Sequence, residues 1–207
     1  MWPVRPNPGT NRAYQTGIAR PDGSLAKFTA VCAPVVYRGD RLPSDVYGNV
    51  FVAEPAANLV SRIVLSDDGT SLQARKAYEQ GEFLASTDER FRPLYLSNAP
   101  DGTLYVVDMY RGIIEHRLSL TVYLRDHIVK RKLQEATGYG RIYRVVHETT
   151  HRDPRRTLAQ TTPEQLVDML SDSGGWWRDA AQRLLVERAD RFRSGGAKEL
   201  TEAGRSP

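Results

Sequence analysis

Two groups of side chains in this sequence have types and spacings suited to chemistry. Arg90 and Arg92 flank Phe91 in a segment that reads as extended, and alternate residues of an extended chain point the same way. Both guanidiniums could then grip one ligand, because arginine holds planar anions such as carboxylates through paired N–H donors. The competing reading is that Arg92-Pro93 shapes the entry to a strand and Arg90 is a surface charge. The second group follows the apolar run 103–108 and comprises Asp108, Tyr110, Arg111, Glu115 and His116. Polar residues crowding the end of a strand often line a functional loop. Asp108 could order a cation or orient Arg111, and His116 could give or take a proton. A salt-bridged structural cap is the alternative. Glu54, at the end of another strand, raises the same question for a metal ion. His127, His147 and His151 share no metal-ligand spacing and read as surface residues. Cys32 is the only cysteine. It excludes an intrachain disulfide and a Cys-x-x-Cys-His haem site, and reads as a small buried residue.

The elements that must position these groups are mainly β up to about residue 146. Short runs rich in β-branched and aromatic residues predict strands over 49–54, 59–65, 103–108 and 141–146. Asp22-Gly23, Asp68-Gly69, Asp101-Gly102 and Tyr47-Gly48-Asn49 separate the strands, and glycine there accepts the positive φ of a tight reversal. Pro21-Asp22-Gly23-Ser24-Leu25 resembles Pro100-Asp101-Gly102-Thr103-Leu104, a recurrence that suggests radial repetition, although a sandwich has a similar rhythm. A helix interrupts this region, with Val122, Leu124, Ile128, Val129 and Leu133 at roughly helical spacing. Beyond a polar linker the periodicity is helical. Thr162, Pro163 and Gln165 predict an N-cap with a capping box, and Leu166, Met169 and Leu170 give the apolar stripe. Trp177, Ala180, Ala181, Leu184 and Leu185 form the stripe of a second helix. Trp176 is expected to pack on a neighbouring repeat or on the β part. The organisation expected is C-terminal propeller blades over 1–148, a linker over 149–160, a helical hairpin over 161–193 and a polar tail over 194–207. Both ends are expected to continue in a longer polypeptide.

The chain has 207 residues, 40% hydrophobic and 26% charged, with a formal net charge of +4. That basic excess is too small and too interleaved with acids to indicate nucleic acid. Lys130-Arg131-Lys132 and Arg155-Arg156 read as solvated faces. No run approaches the roughly 18 apolar residues of a membrane helix, and no signal peptide is visible at the N-terminus.

One stretch carries a family resemblance. It runs through Tyr37-Arg38-Gly39-Asp40, Tyr47-Gly48-Asn49-Val50-Phe51-Val52-Ala53-Glu54-Pro55, Glu82-Phe83-Leu84, Phe91-Arg92-Pro93, and the string from Ala99 through Asp101-Gly102 to Ile114-Glu115-His116. Together these segments resemble the large membrane-bound or periplasmic dehydrogenases of planctomycete-type bacteria. In that family a propeller similar to quinoprotein glucose/sorbosone dehydrogenases precedes HEAT-type repeats, often followed by a cytochrome c domain. Trp177-Arg178 with Ala181, Leu184 and Leu185 resembles a HEAT repeat.

The resemblance implies part of a pyrroloquinoline quinone (PQQ) dehydrogenase acting on a sugar or other alcohol, with calcium polarising the quinone carbonyl. Arg90, Arg92, Tyr110 and Arg111 would hold the cofactor, Glu54 or Asp108 the metal, and His116 or Asp108 would act as acid or base. Electrons would pass to a haem c domain outside this chain, in the periplasm or cell envelope. Two departures stand against it. A lysine of the quinoprotein pattern aligns near Ala56, and Ala56-Ala57 offers no cation; the base histidine belongs to earlier blades. This chain alone is therefore not expected to catalyse. The alternatives are a non-catalytic propeller and HEAT scaffold that binds glycan or protein, and a lactonase-like, metal-dependent propeller with Glu54 and Asp108 as ligands.

Overall fold

Short apolar runs punctuated by Asp-Gly turns fold into two antiparallel sheets, followed by helices. The computed structural model describes residues 1–7, 15–135, 137–151 and 156–189. The predicted tail 194–207, the end of the hairpin and linker residues 152–155 lie outside the described residues. The first sheet is a meander of β1 (Cys32–Val36), β2 (Val50–Glu54), β3 (Leu59–Asp67) and β4 (Leu72–Lys76), with β5 (Leu84–Ala85) also paired to β3. The second contains β6 (Pro93–Asn98), β7 (Leu104–Asp108) and β8 (Arg141–Val145) in sequence order. All pairings are antiparallel. Among the described residues the sheets close into neither a barrel nor a ring.

The core lies where β6 packs on β1 and β2. Tyr37, Phe51, Val60, Leu96, Leu104 and Val106 fill it. Leu104, Val106 and Asp108 are buried while Tyr105 and Val107 are not, the alternation expected of a strand with one covered face. A close backbone approach joins the sheets. The Tyr37 hydroxyl donates to Gly102 O at 2.5 Å and Arg41 N donates to the same oxygen at 3.2 Å. Gly102 has φ +76°, and a Cβ there would collide with Asp40 Oδ1. The positive φ favours glycine at this position.

The two Pro-Asp-Gly turns share one geometry. Asp22 Oδ1 accepts from Ser24 N at 2.9 Å and Oγ at 2.7 Å, and Asp101 Oδ1 accepts from Thr103 N at 3.1 Å and Oγ1 at 2.6 Å. Their sequels differ: Leu104 opens β7, whereas Leu25 makes only an isolated bridge to Ala19. Cys32 is half-buried rather than buried, its thiol 3.3 Å from Ala30 O.

Helix α1 (Val122–Arg131) is N-capped by Thr121, whose side chain accepts from Leu124 N. Leu124, Ile128 and Leu133 are buried, but Val122 and Val129 are 73% and 65% exposed. The apolar stripe is therefore narrower than the sequence suggests. Arg131, in the expected solvated run, is 53% exposed and also reaches Glu89. Helices α2 (Pro163–Met169) and α3 (Gly175–Glu187) pack on each other, and α2 carries the expected capping box between Thr162 and Gln165. Gly175 N donates to Arg38 O at 2.7 Å, Arg38 grips Asp179 at 2.9 and 2.8 Å, and Trp177 Nε1 donates to Pro100 O at 2.7 Å. Trp177 thus anchors the hairpin to the sheets. Trp176, expected in that role, meets Trp177 edge-on beside a surface hollow with Asp179, Ala180 and Arg183. Among the described residues no helix is long and apolar enough to cross a membrane.

Candidate functional site

The segment before β6 is a turn, not an extended strand. Phe91 N donates to Asp88 O at 3.1 Å and Arg90 N to Asp88 Oδ1 at 2.9 Å. Strand alternation therefore does not apply at residue 90, and the two arginines do not converge on one cavity. Arg92 turns inward. Its Nε donates to Arg111 O at 2.9 Å, and its two terminal nitrogens donate to Pro55 O at 2.6 Å and Gly112 O at 2.8 Å. It fastens the turn after β2 to the loop after β7. Burial, and then the neighbouring Arg5 charge, pull the Arg92 pKa down to about 10. Arg90 turns outward, donating to Lys132 O at 3.1 Å.

Asp108 organises the corner after β7. It is fully buried, and its Oδ1 accepts from Arg92 N and Tyr110 N, both at 2.8 Å. Oδ2 is buried without a hydrogen-bond partner, and Arg141 Nε lies 3.9 Å away. Tyr110 sits at φ +50°, uncommon for a residue with a side chain. Such conformations cluster at functional sites. The Arg141 guanidinium lies 3.8 Å from the Tyr110 ring centroid, within cation–π range. Tyr139 meets Tyr110 edge-on at 6.4 Å. A hydrogen bond to Asp88, followed by burial, raises the Tyr110 hydroxyl above its usual pKa. Arg90, Tyr110, Glu135, Tyr139 and Arg141 line an open groove of about 490 Å³.

The other nominated residues stand apart from this groove. Arg111 contributes its carbonyl to Arg92. Glu115 and His116 are exposed, and His116 Nδ1 accepts from Leu118 N at 3.3 Å. No described hydrogen bond or ion pair joins His116 to Asp108. Glu54 is fully buried and caps a turn: it accepts from Thr29 N at 3.0 Å, Ala30 N at 3.1 Å and Ala56 N at 3.3 Å. Burial raises its pKa, and these backbone donors oppose the rise. Among the described residues no group of three or more His, Cys, Asp or Glu could hold a metal ion.

A buried ionic cluster escaped the sequence reading. Glu89 pairs with Arg5 through Oε1 and with Arg131 through Oε2, the latter at 2.6 Å. His127, expected at the surface, has a side chain only 12% exposed, with Nε2 3.6 Å from Glu89 Oε1. Burial lowers its pKa, and the Glu89 charge opposes this. The signal was available: His127 follows Leu124 at helical spacing on the face that α1 buries, and Arg131 lies one turn further on at the exposed edge of that face.

No match was found among curated proteins or solved structures. A family model described as a domain of unknown function (DUF7133) matches residues 2–149, which take in both sheets and α1 and stop before α2. By that match over most of its length, the chain belongs to the DUF7133 family.

Proposed function

We propose that this chain is a non-catalytic binding scaffold, in which propeller blades carry a glycan-binding groove and a HEAT-like hairpin extends the surface. Two features support the blade reading: β1–β4 and β6–β8 each run as an antiparallel meander in sequence order, with β5 added off the path against β3, and the second sheet packs on the first through β6. One contrast carries the binding reading. Arg92, Glu54 and the Oδ1 of Asp108 are spent on backbone groups, whereas Arg90 and Arg141 each give one donor to a backbone carbonyl, of Lys132 and Tyr139, and line an open groove with Tyr110 and the exposed Tyr139. Aromatic walls with a few convergent polar groups suit a ring-shaped ligand. Arg90 and Arg141 outnumber Glu135, which favours a sugar bearing carboxylates. A glycan ligand suits a cell-envelope location.

The second reading is the quinoprotein dehydrogenase with its haem c acceptor. Arg90 and Tyr110, both nominated for the cofactor, do share the groove with Arg141, which suits a polycarboxylate quinone. Calcium does not fit at Glu54 or at Asp108 Oδ1, whose oxygens already accept backbone N–H groups, so no catalytic step is assigned. The lactonase-like reading depends on the same two carboxylates and meets the same obstacle.

Calorimetric titration of the full chain with oligogalacturonides, and separately with PQQ plus calcium, tests these readings. Oligogalacturonide binding that Tyr139→Ala weakens about tenfold, the effect of losing ~1.4 kcal/mol, supports the scaffold. Binding of PQQ alone, lost in Arg90→Ala, would overturn it in favour of the dehydrogenase.

A further inference from the structure

Asp108 reaches two groove-lining residues with different oxygens. Oδ1 accepts from Tyr110 N at 2.8 Å and so fixes the backbone that carries the ring. Oδ2 is buried and accepts no hydrogen bond; its ion-pair partner is Arg141, with Nε 3.9 Å away. The Asp108 charge also acts on Arg92, but that guanidinium is already spent on three carbonyls. Arg141 is held more loosely. Its Nε donates to Tyr139 O at 3.0 Å and its guanidinium lies 3.8 Å from the Tyr110 ring centroid. Among the described residues its terminal nitrogens meet no hydrogen-bond acceptor. The Arg141 side chain is 39% exposed and that of Asp108 is 0% exposed. A long, half-exposed side chain with one hydrogen bond has many rotamers open to it. A fixed carboxylate beneath it narrows that choice by charge, most effectively where one partner is out of water.

We propose that Asp108 is a positioning residue for the groove, and that Arg141, held by it over Tyr110, reads a carboxylate on the ligand. The proposal rests on the glycan reading above and names the residue that would select an acidic sugar. One carboxylate then fixes both the ring that meets the sugar and the cation that meets its charge. The free terminal nitrogens of Arg141 match a carboxylate bidentately, whereas a neutral sugar would leave that pairing unused. An Arg141 that held its place unaided would behave in the opposite way. Removing the Asp108 charge would then only tighten an anionic ligand, because a nearby repulsion would be gone.

The test titrates the full chain calorimetrically with trigalacturonic acid and with its methyl ester. The parent should bind the acid about tenfold tighter, the effect of one charge-assisted pair. Arg141→Gln should abolish that preference. Asp108→Asn keeps an oxygen for Arg92 N and Tyr110 N but removes the charge, and should cut the preference to about threefold. In the Arg141→Gln background it should change the preference no further, since a positioning residue acts only through its partner. Ligand-free crystals of Asp108→Asn should show the guanidinium displaced from the Tyr110 ring. A preference kept or increased in Asp108→Asn, or a guanidinium that has not moved, would overturn the proposal and leave the glycan reading standing. A parent that binds neither ligand would sink that reading and the proposal with it.

Discussion

Arg90 and Arg92 carry the same guanidinium two residues apart, yet they belong to different regions. Arg92 lies within the packing between the sheets, where Pro55, Arg111 and Gly112 present three carbonyls to it. Arg90 lies on the rim of the groove with Tyr110, Tyr139 and Arg141. In the buried region charged side chains replace missing backbone partners: Arg92 satisfies carbonyls, while Glu54 and Asp108 satisfy N–H groups. In the exposed region Arg90 and Arg141 each hold a single carbonyl, of Lys132 and Tyr139, while lining an open groove. Residue type therefore says little about role here; what matters is which backbone groups the fold leaves unpaired nearby.

Mutation can break this comparison at several strengths. Arg92→Ala should cost most, about 3–5 kcal/mol, because it strands the carbonyls of Pro55, Arg111 and Gly112. Urea unfolding measures it, and a loss below 1 kcal/mol would remove Arg92 from the structural class. Asp108→Ala should cost about 2 kcal/mol, since Arg92 N and Tyr110 N lose their acceptor. The loss is partly offset because the unpartnered Oδ2 goes too.

Glu54 gives a smaller, pH-dependent effect. Burial raises its folded pKa above the ordinary 4.5. As pH rises from 4.5 through that raised value, the unfolded chain releases this proton first, so the Glu54 contribution to stability falls. Glu54→Gln should flatten that fall, seen by comparing thermal midpoints across the same interval. An unchanged slope would mean that Glu54 titrates normally. Arg90→Ala should be the mildest, within about 0.5 kcal/mol of the parent in stability. Its effect should instead appear as loss of ligand affinity, and a large destabilisation would put Arg90 beside Arg92 in the structural class.

Much of the local architecture was legible beforehand. Strands β2, β3, β7 and β8 fall where runs of β-branched and aromatic residues and turn signals put them, and Gly23, Gly48, Gly69 and Gly102 all take positive φ. The capping box at Thr162 and the interrupting helix α1 were equally readable. The candidate site was legible only in part. Arg90 and Tyr110 do line one groove, but their partners Tyr139 and Arg141 come from the loop before β8 and from its first residue, about thirty residues further on. His127 reads as a surface residue by metal-ligand spacing, whereas its place on α1 puts it on the buried face.

The sequence by itself determined the turns, caps and strand periodicities, because each depends on the backbone preferences of residues a few positions apart. The tertiary structure decided which charges are buried. Arg92 meets Pro55 across 37 residues and Arg5 meets Glu89 across 84. Whether a guanidinium is a fastener or a ligand contact follows from those distant partners, and no short window of sequence contains them.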